Sequence, residues 1–474
     1  MSGDGLHSPA APASRPADHG AAAGRLSGRA AEWRPAALRA TEWRNWSRTE
    51  SVRPIRVETP DSPDAVQRAV EAAAHQGLTI KAIGAGHSFT GIAVAEGVQL
   101  VLDRLQGVVA VDEASARVTL AAGTRLWQLP RLLRPYGLAL QNMGDIDRQS
   151  IAGATSTGTH GTGGSFGGLA TQLTAVTLVT GTGELLRISE TENAELLPAA
   201  RLGLGALGIV IDVTVQCVPA FSLHAVERPE PLPDVLDGYL ERSAREDHFE
   251  FYWFPHTQLA LTKTNTRLPA DAPTHPLGLA DRVVGDELLS NGLYRGLCAL
   301  ATMTPGMIPA VNRLATRLTG DREFTDASHE VFVTNRSVRF RESEYALPRA
   351  AVPDALRELD RLIERRGWRI SFPVEVRSAA PDDNWLSTAY GRDTGYIAVH
   401  RYYRETRPDQ LEYFAEAEKI MVAAGGRPHW GKLHTRDAEF FADAYPRFTD
   451  FLAVRDRLDP GRLFRNPYLD RVLG

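Results

Sequence analysis

The chain has 474 residues, of which 43% are hydrophobic and 23% are charged, and its formal net charge is -5. This length suggests two or three domains, and the composition is that of an ordinary soluble protein. The small negative charge gives no reason to expect a nucleic acid or an anionic membrane as a partner.

Cysteine usage and hydropathy indicate the compartment. Cys217 and Cys298 are too few for a disulfide framework, and neither lies in a metal-ligand spacing. No stretch approaches the ~20 apolar residues of a membrane span, and the N-terminus lacks the apolar core of a secretory signal. We therefore expect a cytoplasmic protein without a metal site.

The first part of the chain combines a polar tail with a compact α/β unit. Residues 1–42 are rich in Ala, Gly, Pro, Ser and Arg, and we expect a disordered tail there. Next come a predicted strand over Val52–Glu58, a helix over Ala65–His75 and a strand over Leu78–Ile83. Ser62, followed by a proline, is a suitable N-cap for the helix.

The last of these strands runs into the loop Gly84-Ala85-Gly86-His87-Ser88-Phe89-Thr90. The glycines allow positive φ and a close approach of backbone N–H groups to an anion, and the two hydroxyls add donors. The loop either cradles the pyrophosphate of a dinucleotide, with His87 touching the cofactor, or forms a tight turn with a surface histidine. The usual dinucleotide fingerprint fails at Phe89, and no Walker lysine follows.

A second glycine-rich segment, Gly144–Gly168, lies between well-patterned strands. Its small and hydroxyl-bearing residues suit a backbone lying flat against a planar ligand, although a flexible spacer has a similar composition. The elements predicted around it are strands at Leu100–Leu102, Val108–Val111 and Val118–Ala121, a helix at Leu126–Tyr136, a hairpin of Ala175–Val179 with Glu184–Ile188, and a β-rich run at Gly208–Val218.

The section after Pro219 mixes strands and helices. The predicted elements are strands at Phe249–Phe254 and Val331–Val333 and helices at Asp354–Arg366 and Gln410–Ala424. An apolar region, Leu288–Leu318, is either a set of buried helices or a surface that faces a partner or a membrane.

One further predicted strand contains candidate catalytic side chains. In Phe372-Pro373-Val374-Glu375-Val376-Arg377, alternation puts Glu375 and Arg377 on the same strand face. An exposed ion pair is the alternative interpretation of this pattern.

Four ordered motifs resemble the FAD-linked oxidases of the vanillyl-alcohol oxidase type, in the branch of the aldonolactone and alditol oxidases. The motifs are Gly84–Ser88, the strip from Asn142 through Ser150–Gly153 to Thr157–Gly161, the segment Arg427–Lys432, and the closing signature Asp459–Leu469. The resemblance extends from Trp46 to Leu473 and is weakest between Phe221 and Asp326.

The resemblance implies an α+β, two-domain FAD-binding fold of the vanillyl-alcohol oxidase type with a sheet-based substrate cap. The FAD domain is expected over residues 43–218, the cap over 219–432, and a return to the FAD domain over 433–474.

The resemblance also implies the site residues. FAD is expected to be bonded covalently through His87 to the 8α-methyl carbon of the flavin. Further cofactor contacts are expected from Gly84, Ala85, Gly86, Ser88, Gly144, Asp145, Ser150, Gly153, Ser156, Gly158, His160, Gly161 and Val210. The catalytic residues are expected to be Glu375, Arg377 and Lys432, with Asp145 and His400 as further substrate contacts. His400 is equally open to interpretation as a core histidine.

The implied reaction is oxidation of a sugar-derived lactone, such as L-gulono-1,4-lactone or D-arabinono-1,4-lactone, by hydride transfer to flavin N5. Electrons then pass to oxygen or another acceptor, and Gly144 resembles an open gate for oxygen. An alditol (polyol) oxidase is the first alternative, but those enzymes have serine where this chain has Asp145. A sugar-lipid oxidase is suggested only by the apolar region, and a catalytically silent FAD protein would not need His87, Glu375, Arg377 and Lys432 together.

Overall fold

The computed structural model describes residues 41–278, 304–318, 321–334 and 338–474. Nearly all of the predicted tail lies outside these residues, as do Cys298 and the first part of the apolar region that begins at Leu288. Three larger β-sheets carry most of the strands in the described part of the chain.

A short parallel sheet leads into the first glycine loop. The elements are β1 (Trp43–Arg44), β2 (Ser51–Val52), β3 (Arg56–Glu58), α1 (Pro63–His75), β4 (Ile80–Ile83) and β5 (Val98–Val101). The parallel order is β3-β5-β4, while β1 and β2 pair with each other. Helix α1 has the predicted N-cap, since the Ser62 hydroxyl accepts a hydrogen bond from the Ala65 amide at 3.3 Å, and it begins at Pro63, slightly earlier than the predicted Ala65.

A five-stranded antiparallel sheet follows, in the order β10-β9-β11-β7-β6. The elements are β6 (Val108–Asp112), β7 (Arg117–Ala121), α2 (Leu129–Leu133), β8 (Leu138–Ala139), α3 (Ile151–Ser156), β9 (Leu173–Val179), β10 (Leu185–Ser189), α4 (Leu197–Ala200), β11 (Ile209–Gln216) and β12 (Val218–Pro219). The predicted hairpin is confirmed, since β9 pairs with β10 across the turn at Gly181–Gly183.

The third sheet has eight antiparallel strands in the order β16-β13-β15-β14-β18-β19-β17-β20. The elements of this region are β13 (Phe221–Pro231), α5 (Leu232–Arg245), β14 (His248–Trp253), β15 (Leu259–Pro269), α6 (Ile308–Leu318), β16 (Arg322–Ala327), α7 (Ser328–Phe332), β17 (Phe340–Pro348), α8 (Val352–Arg366), β18 (Val374–Ala379), β19 (Thr394–Tyr402), α9 (Pro408–Ala423) and β20 (Arg427–Pro428).

Alternation gives this sheet two chemically different faces. One face is apolar and packs against α5, α8 and α9, with Phe251, Trp253, Val374, Val376 and Ile397 among its buried side chains. The residues that alternate with these point to the other face, which is polar. Register places Tyr252 opposite Glu375, and it places both Glu375 and Glu344 opposite Ala398, so these side chains share the polar face.

The last three helices return to the core of the five-stranded sheet. They are α10 (Ala438–Ala444), α11 (Phe448–Leu458) and α12 (Pro467–Leu473). Phe441, Phe451 and Leu469 share one buried cluster with Leu173 and Val176 of β9. The N-terminal and C-terminal parts of the chain therefore build one core.

Some predicted elements differ from the structure. Val331–Val333 was expected to be a strand, but Ser328–Phe332 forms α7, in which Val331 and Phe332 are buried. A three-residue apolar run fits a short helix as well as a strand, so periodicity could not decide. The glycine strip is not flat throughout, because Ile151–Ser156 forms α3.

The apolar region ends in helix α6, which exposes Leu314. Of the helices within the described ranges, none combines the length and the apolar character that crossing a membrane would require.

Candidate active site

A pocket opens where β4 ends in the first glycine loop. Its lining unites nine of the residues predicted to bind the cofactor, namely Gly84, Ala85, Gly86, His87, Ser88, Ser150, Gly153, Ser156 and Val210. Because these residues come from three separate segments, the pocket is a product of the fold rather than of one local turn.

Small residues are required at the floor of this pocket. A Cβ on Gly84 would lie 2.5 Å from the Ser150 hydroxyl, and one on Gly153 would lie 2.9 Å from the same atom. Gly86 has a φ of 67°, which favours glycine, and its carbonyl accepts a hydrogen bond from the Trp46 amide at 2.7 Å. The exposed backbone and the alanine and serine side chains fit the phosphates of a dinucleotide such as FAD.

His87 is held at one side of the pocket by an aromatic contact. Its ring stacks on Trp46 with centroids 5.3 Å apart and planes 20° apart. Burial, together with the positive charges of Lys432, Arg148 and Arg125, lowers the pKa of His87 to about 4. The imidazole is therefore neutral at pH 7 and keeps a nitrogen lone pair available for bonding.

The glycine loop is fastened to a segment near the C-terminus. The Phe89 amide donates to the Gly431 carbonyl at 2.7 Å, and the Thr90 hydroxyl donates to the Trp430 carbonyl at 3.0 Å. These bonds bring Lys432 close enough to His87 to influence its pKa. The cofactor pocket and the polar face of the large sheet therefore meet at this point.

Five predicted cofactor residues of the second glycine strip lie outside the lining of this pocket: Gly144, Asp145, Gly158, His160 and Gly161. A Cβ on Gly161 would collide with the Met143 carbonyl and the Asn142 side chain, so glycine allows these two segments of the strip to contact each other. The strip then runs along β18, where the Gly163 amide donates to the Ser378 carbonyl at 2.9 Å.

Arg377 lies at the centre of the first buried charge cluster on the polar face. Its guanidinium is 2.5 Å from Glu375, 3.0 Å from Glu250 and 3.4 Å from Asp145. Tyr252 donates to Glu375 at 3.2 Å. Burial alone would lower the pKa of Arg377, but the surrounding carboxylates outweigh burial and raise it well above its ordinary value.

The buried position of this cluster argues against the exposed ion pair that was the alternative interpretation of Glu375 and Arg377. Asp145, which was predicted for both cofactor and substrate, belongs to this cluster and not to the lining of the pocket.

Lys432 lies at the centre of a second cluster. Its ammonium pairs with Glu342 and lies 3.9 Å from Glu344. Burial would raise the pKa of Glu342, but Lys432 and His400 outweigh it and lower that pKa to about 2. The two carboxylates in turn raise the pKa of Lys432 against the effect of burial. The lysine is therefore charged at neutral pH.

His400 reaches this second cluster indirectly. It is buried, its Nδ1 lies 2.9 Å from the Pro373 carbonyl, and its Nε2 lies 3.5 Å from Glu342. The structure therefore connects His400 to Lys432 through a carboxylate.

Three buried side chains, His160, Glu344 and His429, lie close enough together to resemble a metal site. Their donor set does not fit a cation. The Gly431 amide donates to His429 Nδ1 at 3.0 Å, His429 Nε2 lies 3.2 Å from the Gly158 carbonyl, and the Lys432 ammonium already lies 3.9 Å from Glu344.

Four residues of the two clusters were missed as site residues: Glu250, Tyr252, Glu342 and Glu344. Part of the signal was present in the sequence, because Glu250 and Tyr252 lie two residues apart between apolar neighbours, as Glu375 and Arg377 do. Glu342 and Glu344 lie in the polar run Arg341-Glu342-Ser343-Glu344, which gives no such contrast.

The arrangement can bind a neutral, hydroxyl-rich molecule and stabilise developing negative charge. Four buried carboxylates and the half-buried Asp145 offer acceptors for hydroxyl groups, while Arg377 and Lys432 are fixed cations in a water-poor site.

Comparisons with known proteins agree with this geometry. Residues 213–472 match the family model described as D-arabinono-1,4-lactone oxidase, and residues 54–189 match the model described as FAD binding domain. The L-gulono-1,4-lactone dehydrogenase of Mycobacterium tuberculosis (strain ATCC 25618 / H37Rv) is 42% identical over 432 residues, which cover 91% of this chain and 99% of the relative. The L-gulonolactone oxidase of Bos taurus is 35% identical over 438 residues, which cover 91% and 98% respectively.

Solved structures show the same fold at lower identity. A crystal structure of cholesterol oxidase from Brevibacterium sterolicum superposes with a TM-score of 0.75 at 19% identity, covering 91% of this chain and 96% of that one. The fold, the dinucleotide pocket and the family match lead to one conclusion: the chain belongs to the D-arabinono-1,4-lactone oxidase family and carries an FAD-binding domain.

Proposed function

We propose that this protein is an FAD-dependent oxidoreductase that oxidises a sugar-derived 1,4-lactone of the L-gulono or D-arabinono kind. The names of the family and of the two relatives support this substrate class. The observation that carries the proposal is the pair of buried cations, Arg377 and Lys432, each contacted by carboxylates, with Lys432 close enough to His87 of the dinucleotide pocket to lower its pKa.

When bound, FAD supplies the acceptor for a hydride and its two electrons. The loop Gly84–Ser88 and the segment around Ser150 would hold it. Glu375 accepts a hydrogen bond from a substrate hydroxyl, since Tyr252 and Arg377 already fix its carboxylate. Arg377 and Lys432 stabilise the negative charge that develops on the substrate oxygen as the hydroxyl proton leaves.

The proposal includes a covalent link from His87 to the flavin 8α-methyl carbon. The new C–N bond would replace one imidazole N–H and one methyl C–H bond; two protons would be released, and FAD would take up the two electrons and pass them to the acceptor of the reaction. The neutral state of His87 supports this step, because a protonated imidazole has no lone pair to form the bond.

Acid precipitation of the purified protein tests the cofactor and the link. We expect yellow colour to stay with the precipitate of the wild type and to move to the supernatant in His87→Ala. The matched control is His75→Ala, which changes an exposed histidine at the end of α1 and should keep the colour in the precipitate. A colourless wild-type precipitate over a yellow supernatant would contradict the link but not the cofactor.

Anaerobic addition of candidate substrates tests the reaction. L-gulono-1,4-lactone or D-arabinono-1,4-lactone should bleach the flavin absorbance, whereas xylitol should not. The reverse result would assign the protein to the alditol oxidases, and no bleaching with any of them would leave a silent FAD protein. Readmitting oxygen, or a dye in its place, then identifies the acceptor by which of the two restores the absorbance.

A further inference from the structure

A buried carboxylate outside the two charge clusters lies on the apolar side of the eight-stranded sheet. It belongs to Glu418 of α9, which is 3% exposed. Tyr413, Ala417 and Met421 of the same helix pack in the apolar cluster on this side of the sheet. A charge in such surroundings destabilises a protein unless hydrogen bonds compensate it. The groups that donate to Glu418 therefore show what the charge holds in place.

Two segments of the chain donate hydrogen bonds to the Glu418 carboxylate. Tyr345 of β17 donates through its hydroxyl. From the segment after Lys432, Thr435 donates through its hydroxyl and through its amide at 3.0 Å, and Arg436 donates through Nε at 2.8 Å. Burial would raise the pKa of Glu418, but these hydrogen bonds outweigh burial and lower the pKa. Glu418 is therefore ionised at neutral pH.

The two segments carry the charged groups of the second cluster. Tyr345 directly follows Glu344 in β17, and alternation puts their side chains on opposite faces of the sheet. Thr435 lies three residues after Lys432. Glu418 therefore joins, from the apolar side, the strand that carries the carboxylates to the segment that carries the lysine.

Backbone hydrogen bonds join the same two segments before and after Lys432. The His429 amide donates to the Glu344 carbonyl at 2.9 Å. The Leu433 amide donates to the Glu342 carbonyl at 2.9 Å. Together with the bridge through α9, these bonds enclose the lysine in a ring of contacts that includes both of its carboxylate partners.

Other side chains hold the lysine segment at different points. The Ser343 hydroxyl of β17 donates to the Leu433 carbonyl at 2.7 Å. Arg471 of α12 donates to the carbonyls on either side of Thr435, at 3.3 Å and 2.8 Å. Arg471 thus fixes this part of the chain to α12, whereas the carboxylate on α9 fixes it to β17. Loss of that carboxylate loosens the attachment to β17.

We propose that Glu418 is a positioning residue for Lys432, because it joins Thr435 to β17 and so fixes the ammonium between its two carboxylate partners. The proposal rests on the role of Lys432 in the proposed function. There the lysine acts on charge that develops as the substrate hydroxyl loses its proton, and not on the bound lactone. Loss of Glu418 should therefore lower the rate of flavin reduction and leave lactone affinity nearly unchanged.

Anaerobic stopped-flow reduction by L-gulono-1,4-lactone tests this link in a double-mutant cycle. The wild type, Glu418→Gln, Lys432→Met and the double variant are compared at saturating lactone. We expect Glu418→Gln to lower the reduction rate about tenfold and to change the lactone concentration for half the maximal rate by less than about threefold. In the Lys432→Met background the same change should lower the rate by less than about twofold. An equal loss in both backgrounds would overturn the proposal, because Glu418 would then act on the fold as a whole.

The matched control is Glu405→Gln, since Glu405 is another buried carboxylate next to this sheet. Arg401 and Ser371 donate to it, and neither belongs to the lysine segment. Its reduction rate should stay within about twofold of the wild type, and a loss equal to that of Glu418→Gln would also contradict the proposal. Thr435→Val removes one donor and keeps the carboxylate. It should lower the rate about threefold, and it takes the place of Glu418→Gln in the cycle if that variant does not fold.

Thermal unfolding of the same holoenzymes separates this proposal from the proposed function. We expect Glu418→Gln to lower the unfolding temperature by about 3 °C in the wild-type background and by about 2 °C in Lys432→Met. A wild type that no lactone reduces would refute the proposed function. The unfolding cycle would then decide on Glu418, because equal shifts in both backgrounds would mean that it has no link to Lys432.

Discussion

Arg377 is the residue on which the first charge cluster depends. It contacts Glu250 through Nε and Glu375 and Asp145 through one terminal nitrogen, which a lysine ammonium cannot reproduce because it has no fixed fork of donors. We expect Arg377→Lys to lower kcat/KM for the lactone by about 100-fold or more, as measured by steady-state kinetics.

Arg401→Lys is the control for this change. Arg401 is also buried in the eight-stranded sheet, but it bonds to Glu405 and to the Arg369 carbonyl at 2.9 Å each, away from the polar face. Its loss should lower the unfolding temperature and leave kcat/KM within about threefold. Equal losses of kcat/KM in both variants would show that Arg377 acts only on stability.

The excess of negative charge around Arg377 predicts selectivity against anions. Three carboxylates, Asp145, Glu250 and Glu375, surround one guanidinium. A neutral lactone should therefore bind better than its ring-opened aldonate. We expect Asp145→Asn to strengthen inhibition by L-gulonate about tenfold, which corresponds to about 1.4 kcal/mol, while the KM for the lactone changes less.

Asp147→Asn serves as the comparison for this test, because Asp147 is two residues away and pairs with Arg148 at 3.4 Å. Its Ki for L-gulonate should match that of the wild type. Weaker inhibition in Asp145→Asn would show that Asp145 helps to bind anions and would contradict the charge argument.

For single residues, the sequence predicted which side chains of one strand share a face. It did not predict contacts between residues that lie far apart in the chain. Alternation along one strand correctly placed Glu375 and Arg377 on a shared face. The contact of Arg377 with Glu250 joins two strands whose pairing is set by the register of the whole sheet, and no local pattern encodes that register.

The glycine strip is the element whose geometry is most restrictive. A Cβ on Gly161 would collide with the Met143 carbonyl and the Asn142 side chain, and backbone atoms cannot move aside as a flexible side chain can. We expect Gly161→Ala to destabilise the protein by about 3 kcal/mol and to lower flavin retention. Thermal unfolding and the ratio of flavin to protein absorbance measure the two effects.

Gly306→Ala provides the reference, since a Cβ at Gly306 would have no atom within 4 Å. Its unfolding temperature should stay within about 1 °C of the wild type. If the unfolding temperature of Gly161→Ala also stays close to that of the wild type, the contacts around Gly161 are looser than the distances to Met143 and Asn142 indicate.

Element prediction succeeded where local signals were strong. Helix α1 has a serine N-cap and a proline in its first turn, and it forms where expected. The predicted helix at Leu126–Tyr136 instead forms two short 3-10 turns around α2, because Pro130 and Pro135 remove backbone donors. Helix α7 was missed because burial of Val331 and Phe332, rather than their intrinsic preference, determines the structure there.

Buried neutral histidines predict acid sensitivity of the whole molecule. Burial lowers the pKa of His248 to about 4 and that of His434 to about 3, although Asp247 and Glu250 favour protonation of the first and Glu418 that of the second. The unfolded chain binds these protons first, so stability falls as the pH drops below about 6.5.

Each of these histidines should reduce the free energy of unfolding by about 1.4 kcal/mol per pH unit between pH 6 and pH 4. We expect the unfolding temperature to fall steadily over this range and to fall less in His248→Phe. Calorimetry at several pH values measures both. An unfolding temperature that is constant from pH 7 to pH 5 would mean that both histidines gain protons in the folded state without cost.

The division into an FAD domain over 43–218 and 433–474 and a cap over 219–432 stays a prediction. The large sheet falls within the proposed cap, and the last helices share a core with β9, which is what this division requires. The order of the motifs suggested this division. The first glycine loop and the closing signature Asp459–Leu469 must come together in space if both bind one cofactor.

The attachment of the first glycine loop to the end of the chain has a consequence for biosynthesis. Phe89 and Thr90 bond to Gly431 and Trp430, and the Lys81 ammonium donates to the Phe464 carbonyl at 3.2 Å. A nascent chain lacks these partners until Gly431, Trp430 and Phe464 have been synthesised. The first glycine loop therefore reaches its final arrangement only when a segment more than 300 residues further along the chain has folded against it.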